Sequence, residues 1–447
     1  MTAEPSGLMR VEEAQARILA LLGTPAAGTD EVAVEAALGR VLAAPVVAAT
    51  ALPPWDNSAM DGYAVVAADL AAASETNPAR LAVIGDLAAG TAPSTTVRPG
   101  TAIRIATGAP IPPGADAVVQ VELTTPLGAD DTAGSRGRDA AGPLPPAVLV
   151  HAAVGPGTHI RRAGSDLAAG ARLLEPGTAI GPAHVGLVAG AGLATVTVHR
   201  RPRVGVLATG DELRAAGEPL GPAEIPNSNG PGLRALVMAA GAEAIDLGIA
   251  RDVQAVVSAR LAAGIEAGCD AIVVSGGVSV GPYDVVKAAF AELGTVDLWR
   301  VAVQPGKPFA LGVVARAGGP PVLLFGLPGN PVSGVVTFEL FVRPAIRVLA
   351  GRRDPLRPLD RAVLLDAARK SSGRRAYLRV TAEREVDGAA ARDERGRVLV
   401  RLAGGAAGQG SHVLSALAAS DALAIVPEDL DAVPAGSPVD LLWLDAP

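Results

Sequence analysis

The stretch AIVVSGGVSVGPYD, residues 271–284, decides the fold of this chain of 447 residues. It opens with an apolar run, rich in β-branched residues, that predicts a strand buried on both faces. The serine and glycine loop that follows carries no charge before Asp284, so it can turn sharply and bring backbone N–H groups close to an anion. Pro282 then sets the first turn of a helix predicted over residues 285–293. The stretch predicts either a phosphate-type anion site at the carboxyl edge of a parallel sheet, or a tight strand-to-helix connection in which Asp284 is a helix charge.

Around this stretch, segments of strand length alternate with segments of helical periodicity. Strands are predicted over residues 203–208, 242–249, 270–275, 296–303, 310–314 and 322–326, and helices over residues 230–240, 253–267, 285–293 and 331–349. Alternation at this spacing is typical of a parallel α/β sheet, which binds its ligands at the carboxyl ends of the strands.

The pattern differs on both sides of this α/β region. Residues 11–22 predict an amphipathic helix, and residues 32–42 predict a second, shorter helix. From residue 46 onward, short strands broken by proline and glycine predict a small β-barrel or sandwich. The same texture returns after residue 355 and predicts a second β domain.

Composition excludes several classes of function. The formal net charge of −7 argues against a general nucleic-acid binder, which needs a basic surface. Five histidines and a single cysteine, Cys269, predict neither a zinc cluster nor a disulfide framework. We find no signal-peptide pattern and no apolar run of the length of a bilayer span, and therefore expect a cytoplasmic protein without a membrane partner.

Four loops that follow predicted strands carry residues suited to a charged ligand. They are TGDE (209–212), the loop of the central stretch, QPGKP (304–308) and GLPGNPVS (326–333). Asp211 and Glu212 could hold Mg²⁺ or could start a short helix. Lys307, between two prolines, suits anion binding or is a solvated loop charge. Asn330 is explained by helix capping alone. Four such loops on one edge favour a large ligand with several charges.

Three further segments are dense in polar and turn residues: PPWDNSAMDGYA (53–64), RIATGAP (104–110) and HIRRAGSD (159–166). Loops with so much chemistry usually carry function, although Asp and Asn are also ordinary turn formers. The adjacent Arg161 and Arg162 are either a solvated surface pair or a phosphate contact.

Together these segments resemble the molybdopterin molybdenumtransferase family, which comprises the MoeA-type enzymes and the E domain of gephyrin. The resemblance runs nearly end to end and includes QGS at residues 409–411. It implies insertion of molybdate into adenylylated molybdopterin, with Mg²⁺-dependent cleavage of the adenylyl phosphoanhydride and release of AMP. The alternatives are a molybdopterin adenylyltransferase, which acts one step earlier, and a gephyrin-like scaffold.

The resemblance also implies an architecture of the α/β plus β class. We expect an elongated subunit and a homodimer whose cleft is built from both subunits, with substrate possibly handed over by an adenylyltransferase. The expected domains are an N-terminal helix on the α/β domain (1–24), a linker domain (25–46 and 151–180), an inserted β domain (47–150), a molybdopterin-binding α/β domain with a parallel sheet (181–350) and a C-terminal β-barrel (351–447).

Functional residues of the family carry over onto matching positions. The resemblance implies catalytic roles for Asp61, Thr107, Glu212, Asp252 and Asp284, of which Glu212, Asp252 and Asp284 would hold the metal. Substrate-binding residues would be Arg161, Asp166, Thr209, Gly210, Ser275, Gly276, Gly277, Ser279, Gly329 and Asn330. Molybdate would be bound by Lys307, Pro308, Arg379 and Ser411. The chain departs from the family pattern at Gln304, where many members have Lys, at Arg300, where others place Lys, and at Ser165, which is often Glu.

Overall fold

The computed structural model describes residues 7–23, 28–137, 142–277, 285–316 and 320–444. The second half of the central stretch, residues 278–284, therefore lies outside the described residues. This gap includes Ser279 and Asp284, whose predicted roles the structure does not address.

A six-stranded sheet forms the centre of the α/β region. Its strands are β1 (Arg203–Thr209), β2 (Glu243–Ala250), β3 (Ala271–Ser275), β4 (Thr295–Arg300), β5 (Pro308–Val314) and β6 (Val322–Leu327), in the order β2-β1-β3-β6-β5-β4. The predicted parallel sheet is confirmed for β2, β1, β3 and β6, whereas β5 runs antiparallel to both of its neighbours. The connections on either side of β5, residues 301–307 and 315–321, are too short for the crossover that a parallel pair requires.

Strand β3 is buried on both faces, as its apolar run predicts. Ala271 and Val273 contribute to one hydrophobic core, and this core also contains the helices Val11–Leu22 and Arg343–Leu349. Ile272 and Val274 contribute to a second core on the opposite face. Because successive side chains of a strand point to opposite faces, a run with no polar position is what a central strand between two helical layers requires.

The remaining helices of the α/β region agree with the predictions within a few residues. They are Asn229–Ala239, Gln254–Glu266, Val285–Leu293 and Pro331–Thr337. The last of them continues through a π-helical turn, Phe338–Val342, into the helix Arg343–Leu349. The predicted helix over residues 32–42 is wrong. Residues Thr29–Ala33 form a strand that pairs with Thr195–His199, and only a 3₁₀ turn, Val34–Ala37, follows. The partner strand is distant in sequence, so local periodicity does not reveal this pairing.

Two further six-stranded sheets confirm the β regions. The first contains Gly62–Val65, Ala79–Leu87, Thr101–Ile105, Ala117–Gln120, Thr124–Leu127 and Ala147–Val150. The second contains Val303–Gln304, Asp360–Leu364, Arg375–Ala382, Val398–Leu402, Ala422–Val426 and Ser437–Trp443. In the second sheet Arg375–Ala382 also pairs with Ala422–Val426, which closes the predicted C-terminal barrel.

Short elements complete the described fold. Two-stranded pairs join Val46–Val47 with Arg172–Leu174, Asn57–Ser58 with Ile160–Arg161, Leu213–Arg214 with Ile225–Pro226, and Ala368–Arg369 with Ala432–Val433. The short helices are Ala67–Leu70, Val121–Leu123, Pro182–Gly190, Ala407–Gln409 and Leu414–Ala418. Among the described residues, no helix has the length and apolar character needed to span a bilayer. The domain boundaries given above stay predictions.

Candidate active site at the carboxyl edge of the central sheet

The loops that the sequence singled out meet at one edge of the central sheet. Strands β1 and β3 end in register at Ala208 and Ser275, and Ser275 in turn pairs with Leu327 at the end of β6. Strand β5 runs in the opposite direction, so its first residue, Pro308, lies at the same edge. The convergence of the four loops is confirmed as far as the structure describes them.

Two glycines allow the loop after β3 to lie against the end of β1. Gly276 has φ 98°, and a Cβ atom there would stand 2.4 Å from the carbonyl oxygen of Thr209. Gly277 has φ 65°, and its Cβ would stand 2.5 Å from Cγ2 of Val286. Both φ values are unfavourable for residues with a Cβ, and neither position has space for one. Gly276 is therefore required by the close approach of two backbones, and Gly277 by the close approach of the Val286 side chain.

Asn229 links two of these loops, a role that the sequence analysis missed. Its Nδ2 donates to Oγ of Ser275 and to the carbonyl oxygen of Gly329, both at 2.7 Å. The residue opens the helix Asn229–Ala239, in which Gly230 N–H donates to Asn227. The only signal in the sequence is the polar segment NSNG at residues 227–230, which any helix start could carry.

Three carboxylates stand near the end of β1. Asp211 pairs with Arg251 at 3.2 Å, and the loop Thr209–Glu212 is tied to the neighbouring strand by Gly210 N–H, which donates to the Ala250 carbonyl. Burial raises the pKa of Asp252 above its usual value, and the negative charges of Asp211 and Glu212 raise it further. The nearby Thr209 hydroxyl partly offsets this rise in the pKa of Asp252. The hydroxyl is buried, and its distance or angle to any partner falls outside the limits of an ordinary hydrogen bond. The cluster therefore holds excess negative charge that a cation would neutralise.

The residues present fit a magnesium ion that takes some of its ligands from the protein and the others from the substrate and water. Within the described ranges, no group of three or more His, Cys, Asp or Glu side chains forms a complete metal site. Mg²⁺, however, usually keeps several waters and takes only one or two protein carboxylates together with substrate phosphates. Glu212 and Asp252 can supply that pair, and the third predicted ligand, Asp284, lies outside the described residues.

The C-terminal barrel contributes to the same edge. Asn330 Nδ2 donates to Ser411 Oγ at 3.0 Å, and Val332 N–H donates to the Ser411 carbonyl at 3.1 Å. Arg379 is only 1% exposed, and its guanidinium donates to the carbonyl oxygens of Gly408 (2.5 Å) and Gly410 (3.1 Å). The buried arginine thus holds the loop that presents Ser411 to the sheet.

The turn that carries Lys307 is fixed from both sides. The Lys307 carbonyl accepts from Val301 N–H at 3.0 Å, and the side chain is half-buried with no ion pair to any described carboxylate. Gln304, one of the departures from the family pattern, accepts at Oε1 from Ser371 N–H of the barrel at 3.0 Å. The glutamine therefore joins two parts of the chain instead of adding a positive charge.

The other predicted residues form a second group in the N-terminal half. Asp61 Oδ1 accepts from Thr107 N–H at 2.7 Å, and the Asn57–Ser58 and Ile160–Arg161 strands pair, which brings Arg161 close to these loops. Asp166 donates from its backbone N–H to Leu52 at 3.0 Å. In the described part of one chain, none of Asp61, Thr107, Arg161 and Asp166 makes a hydrogen bond to the edge of the central sheet.

Comparison with known proteins agrees with this arrangement. The family models for the MoeA N-terminal region (domain I and II), for a probable molybdopterin binding domain and for the MoeA C-terminal region (domain IV) match residues 9–192, 205–348 and 361–444. The molybdopterin molybdenumtransferase 2 of Mycobacterium tuberculosis is 40% identical over 410 residues, which cover 90% of this chain and 91% of the relative. The molybdopterin molybdenumtransferase of Haemophilus influenzae is 34% identical over 435 residues, covering 97% of this chain and 98% of the relative.

A solved structure shares the whole fold. The molybdopterin biosynthesis MoeA protein of Pyrococcus horikoshii OT3 superposes with a TM-score of 0.77 at 27% identity, covering 98% of this chain and 100% of that chain. All three segments of the chain are thus matched in the order found in MoeA proteins. The chain therefore belongs to the MoeA-type family of molybdopterin molybdenumtransferases.

Proposed function

We propose that this chain inserts molybdate into adenylylated molybdopterin and releases AMP and molybdenum cofactor. The observation that carries the proposal is the meeting of the β1, β3 and β6 loops with the Lys307 turn and with Ser411 of the barrel at one edge. A nucleotide-linked pterin and an oxyanion must be held side by side for this reaction. An edge that combines backbone N–H groups, a lysine and a carboxylate pair suits that purpose.

Each part of the edge has a chemical task in this reaction. Lys307, Pro308 and Ser411 would bind molybdate, and the buried Arg379 would hold the loop that carries Ser411. The substrate would lie against the loops that contain Thr209, Gly210, Ser275, Gly276, Gly277, Ser279, Gly329 and Asn330. Glu212 and Asp252, with Asp284, would hold Mg²⁺, which supplies a Lewis acid for cleavage of the phosphoanhydride. The sulfur ligands of molybdenum come from the dithiolene of the substrate, and the buried Cys269 is not needed as a ligand.

The direct test is molybdate-dependent release of AMP from adenylylated molybdopterin in the presence of Mg²⁺. Lys307→Gln should lower turnover at least about tenfold, because a charge-assisted contact to the oxyanion is lost. Arg395→Gln removes an exposed cation in the barrel and serves as the matched control. No release of AMP from verified substrate would reject the proposal, and consumption of ATP with release of pyrophosphate would identify an adenylyltransferase instead.

We further propose a cytoplasmic homodimer in which each cleft combines the edge of one subunit with Asp61, Thr107, Arg161 and Asp166 of the other. Within the described residues of one chain no hydrogen bond joins the two groups, which supports this arrangement. Co-expression of Asp61→Ala with Glu212→Ala tests it. If each site takes one group from each subunit, random pairing gives about a quarter of wild-type activity, since half the dimers are mixed and each has one intact site. No recovered activity would mean that each site is built within one chain.

A further inference from the structure

A basic cavity lies at the end of the central sheet opposite the candidate active site. It has a volume of about 250 Å³ and opens where residues 199–201, just before β1, meet the ends of the helices Asn229–Ala239 and Arg343–Leu349. Arg40, Arg200, Arg201, Arg347 and Arg352 line it, and none of its lining residues is acidic. In a chain of net charge −7, five basic and no acidic residues around one cavity are an uneven distribution of charge.

Two of the five arginines pair with carboxylates outside the cavity, one of which, Asp270, is shared with Arg316. Arg40 pairs with Asp30, and Arg200 donates to both carboxylate oxygens of Asp270 at 3.0 Å. The other three, Arg201, Arg347 and Arg352, form no ion pair with any carboxylate that the structure describes. Among the described residues, the side chains of Arg347 and Arg352 donate only to backbone carbonyl oxygens, those of Asp354 at 3.3 Å and of Gly39 at 3.4 Å. Three of the guanidinium groups at the cavity therefore lack an ion-pair partner among the described residues.

Arg347 shows the electrostatic cost of this arrangement. Its Nε is buried and has no hydrogen-bond partner. Burial, together with the positive charges of Arg352, Arg343 and Arg357, lowers the pKa of Arg347 to about 10, although the Asp354 carboxylate opposes the fall. A cation in the last turn of a helix is favoured by the helix dipole, which explains Arg347 alone. It does not explain Arg201 and Arg352, which lie outside the helix and line the same cavity.

We propose that this cavity is a second anion site, which takes a phosphate or diphosphate group. Three unneutralised guanidinium groups call for a ligand of at least two negative charges, and the planar donors of arginine suit phosphate oxygens. The volume is several times the share of about 30 Å³ that one water occupies in the liquid, which is room for two linked phosphate groups. The site is separate from the catalytic edge, because residues 199–201 precede the amino end of β1.

Calorimetric titration with pyrophosphate at constant ionic strength, without Mg²⁺, tests the proposal. Arg201→Gln and Arg352→Gln should each weaken binding about tenfold or more, because each removes a charge-assisted contact. Arg395→Gln, the control, and Lys307→Gln, which alters the catalytic edge, should leave the affinity within about twofold. Parallel titrations with inorganic phosphate and with AMP distinguish a free phosphate from one carried by a nucleotide.

Thermal unfolding gives a second, independent readout. Without anion, Arg347→Gln should unfold at a higher temperature than the wild type, because a buried and repelled cation is removed. Pyrophosphate should raise the melting temperature of the wild type but not that of Arg347→Gln. A wild type that does not bind pyrophosphate, or binding that Lys307→Gln abolishes and the three arginine variants retain, would overturn the proposal.

Discussion

Asn330 and Ser411, which are 81 positions apart in the chain, are joined by a hydrogen bond of 3.0 Å between Nδ2 and Oγ. Asn330 belongs to the loop after β6, and Ser411 belongs to a loop of the C-terminal barrel. The Ser411 carbonyl adds a second bond by accepting from Val332 N–H. Elsewhere the barrel is attached through Gln304, which bonds Ser371 and lies in a strand paired with Arg375–Ala382. The barrel is therefore held where its serine completes the edge of the sheet.

The Asn330–Ser411 contact should affect turnover more than folding. Asn330→Ala and Ser411→Ala should each cost about 1 kcal/mol of unfolding free energy, since the bond is solvent-accessible, and lower AMP release at least about tenfold. A double-mutant cycle in urea unfolding should give a coupling energy of about 1 kcal/mol. Two additive variants with unchanged turnover would show that the contact is incidental.

The sequence predicted those parts of the fold that local pattern determines. The apolar run of β3, the glycines after it and the helix Val285–Leu293 follow from the residues themselves, and each lies as expected. The strand Thr29–Ala33 was missed because its partner lies more than 160 residues away, at Thr195–His199. Asn229 was missed for the same reason, since its partners Ser275 and Gly329 are 46 and 100 positions distant. Hydrogen bonds between residues so far apart in the sequence depend on the tertiary fold, so local sequence patterns do not predict them.

Arg379 should contribute to the stability of the fold, whereas the nearby Arg374 should not. Arg379→Met leaves the Gly408 and Gly410 carbonyls without their donor inside the barrel and should cost about 3 kcal/mol of unfolding free energy. Arg374→Met is the matched control, because Arg374 is half-buried and its side chain has no hydrogen bond among the described residues. Urea unfolding measures both variants. If Arg374→Met raises the KM for molybdate and leaves stability unchanged, Arg374 is the molybdate-binding arginine of this segment.

Gly276 should not tolerate a side chain. In Gly276→Ala the new Cβ would meet the Thr209 carbonyl at 2.4 Å in a backbone of φ 98°, so we expect a loss of at least about 2 kcal/mol. Gly329→Ala, on the neighbouring loop, is the control. Its nearest contact would be 3.6 Å, to Gly276 Cα, and its cost should stay below about 0.5 kcal/mol. Equal stability of the two variants in urea would mean that the β1 and β3 loops do not approach as closely as described.

Asp252 should make stability depend on pH in a defined direction. Its pKa is raised in the folded state by burial and by Asp211 and Glu212, so folding favours the protonated carboxyl. The contribution of Asp252 to stability is therefore most favourable below its ordinary pKa of 3.8 and is lost as pH rises through the raised value. Asp252→Asn, which resembles the protonated form, should consequently be more stable than the wild type near neutral pH and equal to it at acidic pH.

Urea unfolding across this pH range measures the difference, and Asp297→Asn, which removes an exposed carboxylate from β4, controls for net charge. Mg²⁺ should stabilise the wild type and thereby reduce the advantage of Asp252→Asn, because a cation bound by Glu212 and Asp252 neutralises the same repulsion. Turnover of the variant should fall although its stability rises. A variant that is less stable than the wild type at neutral pH would show that Asp252 has a structural role, and would remove it from the metal site.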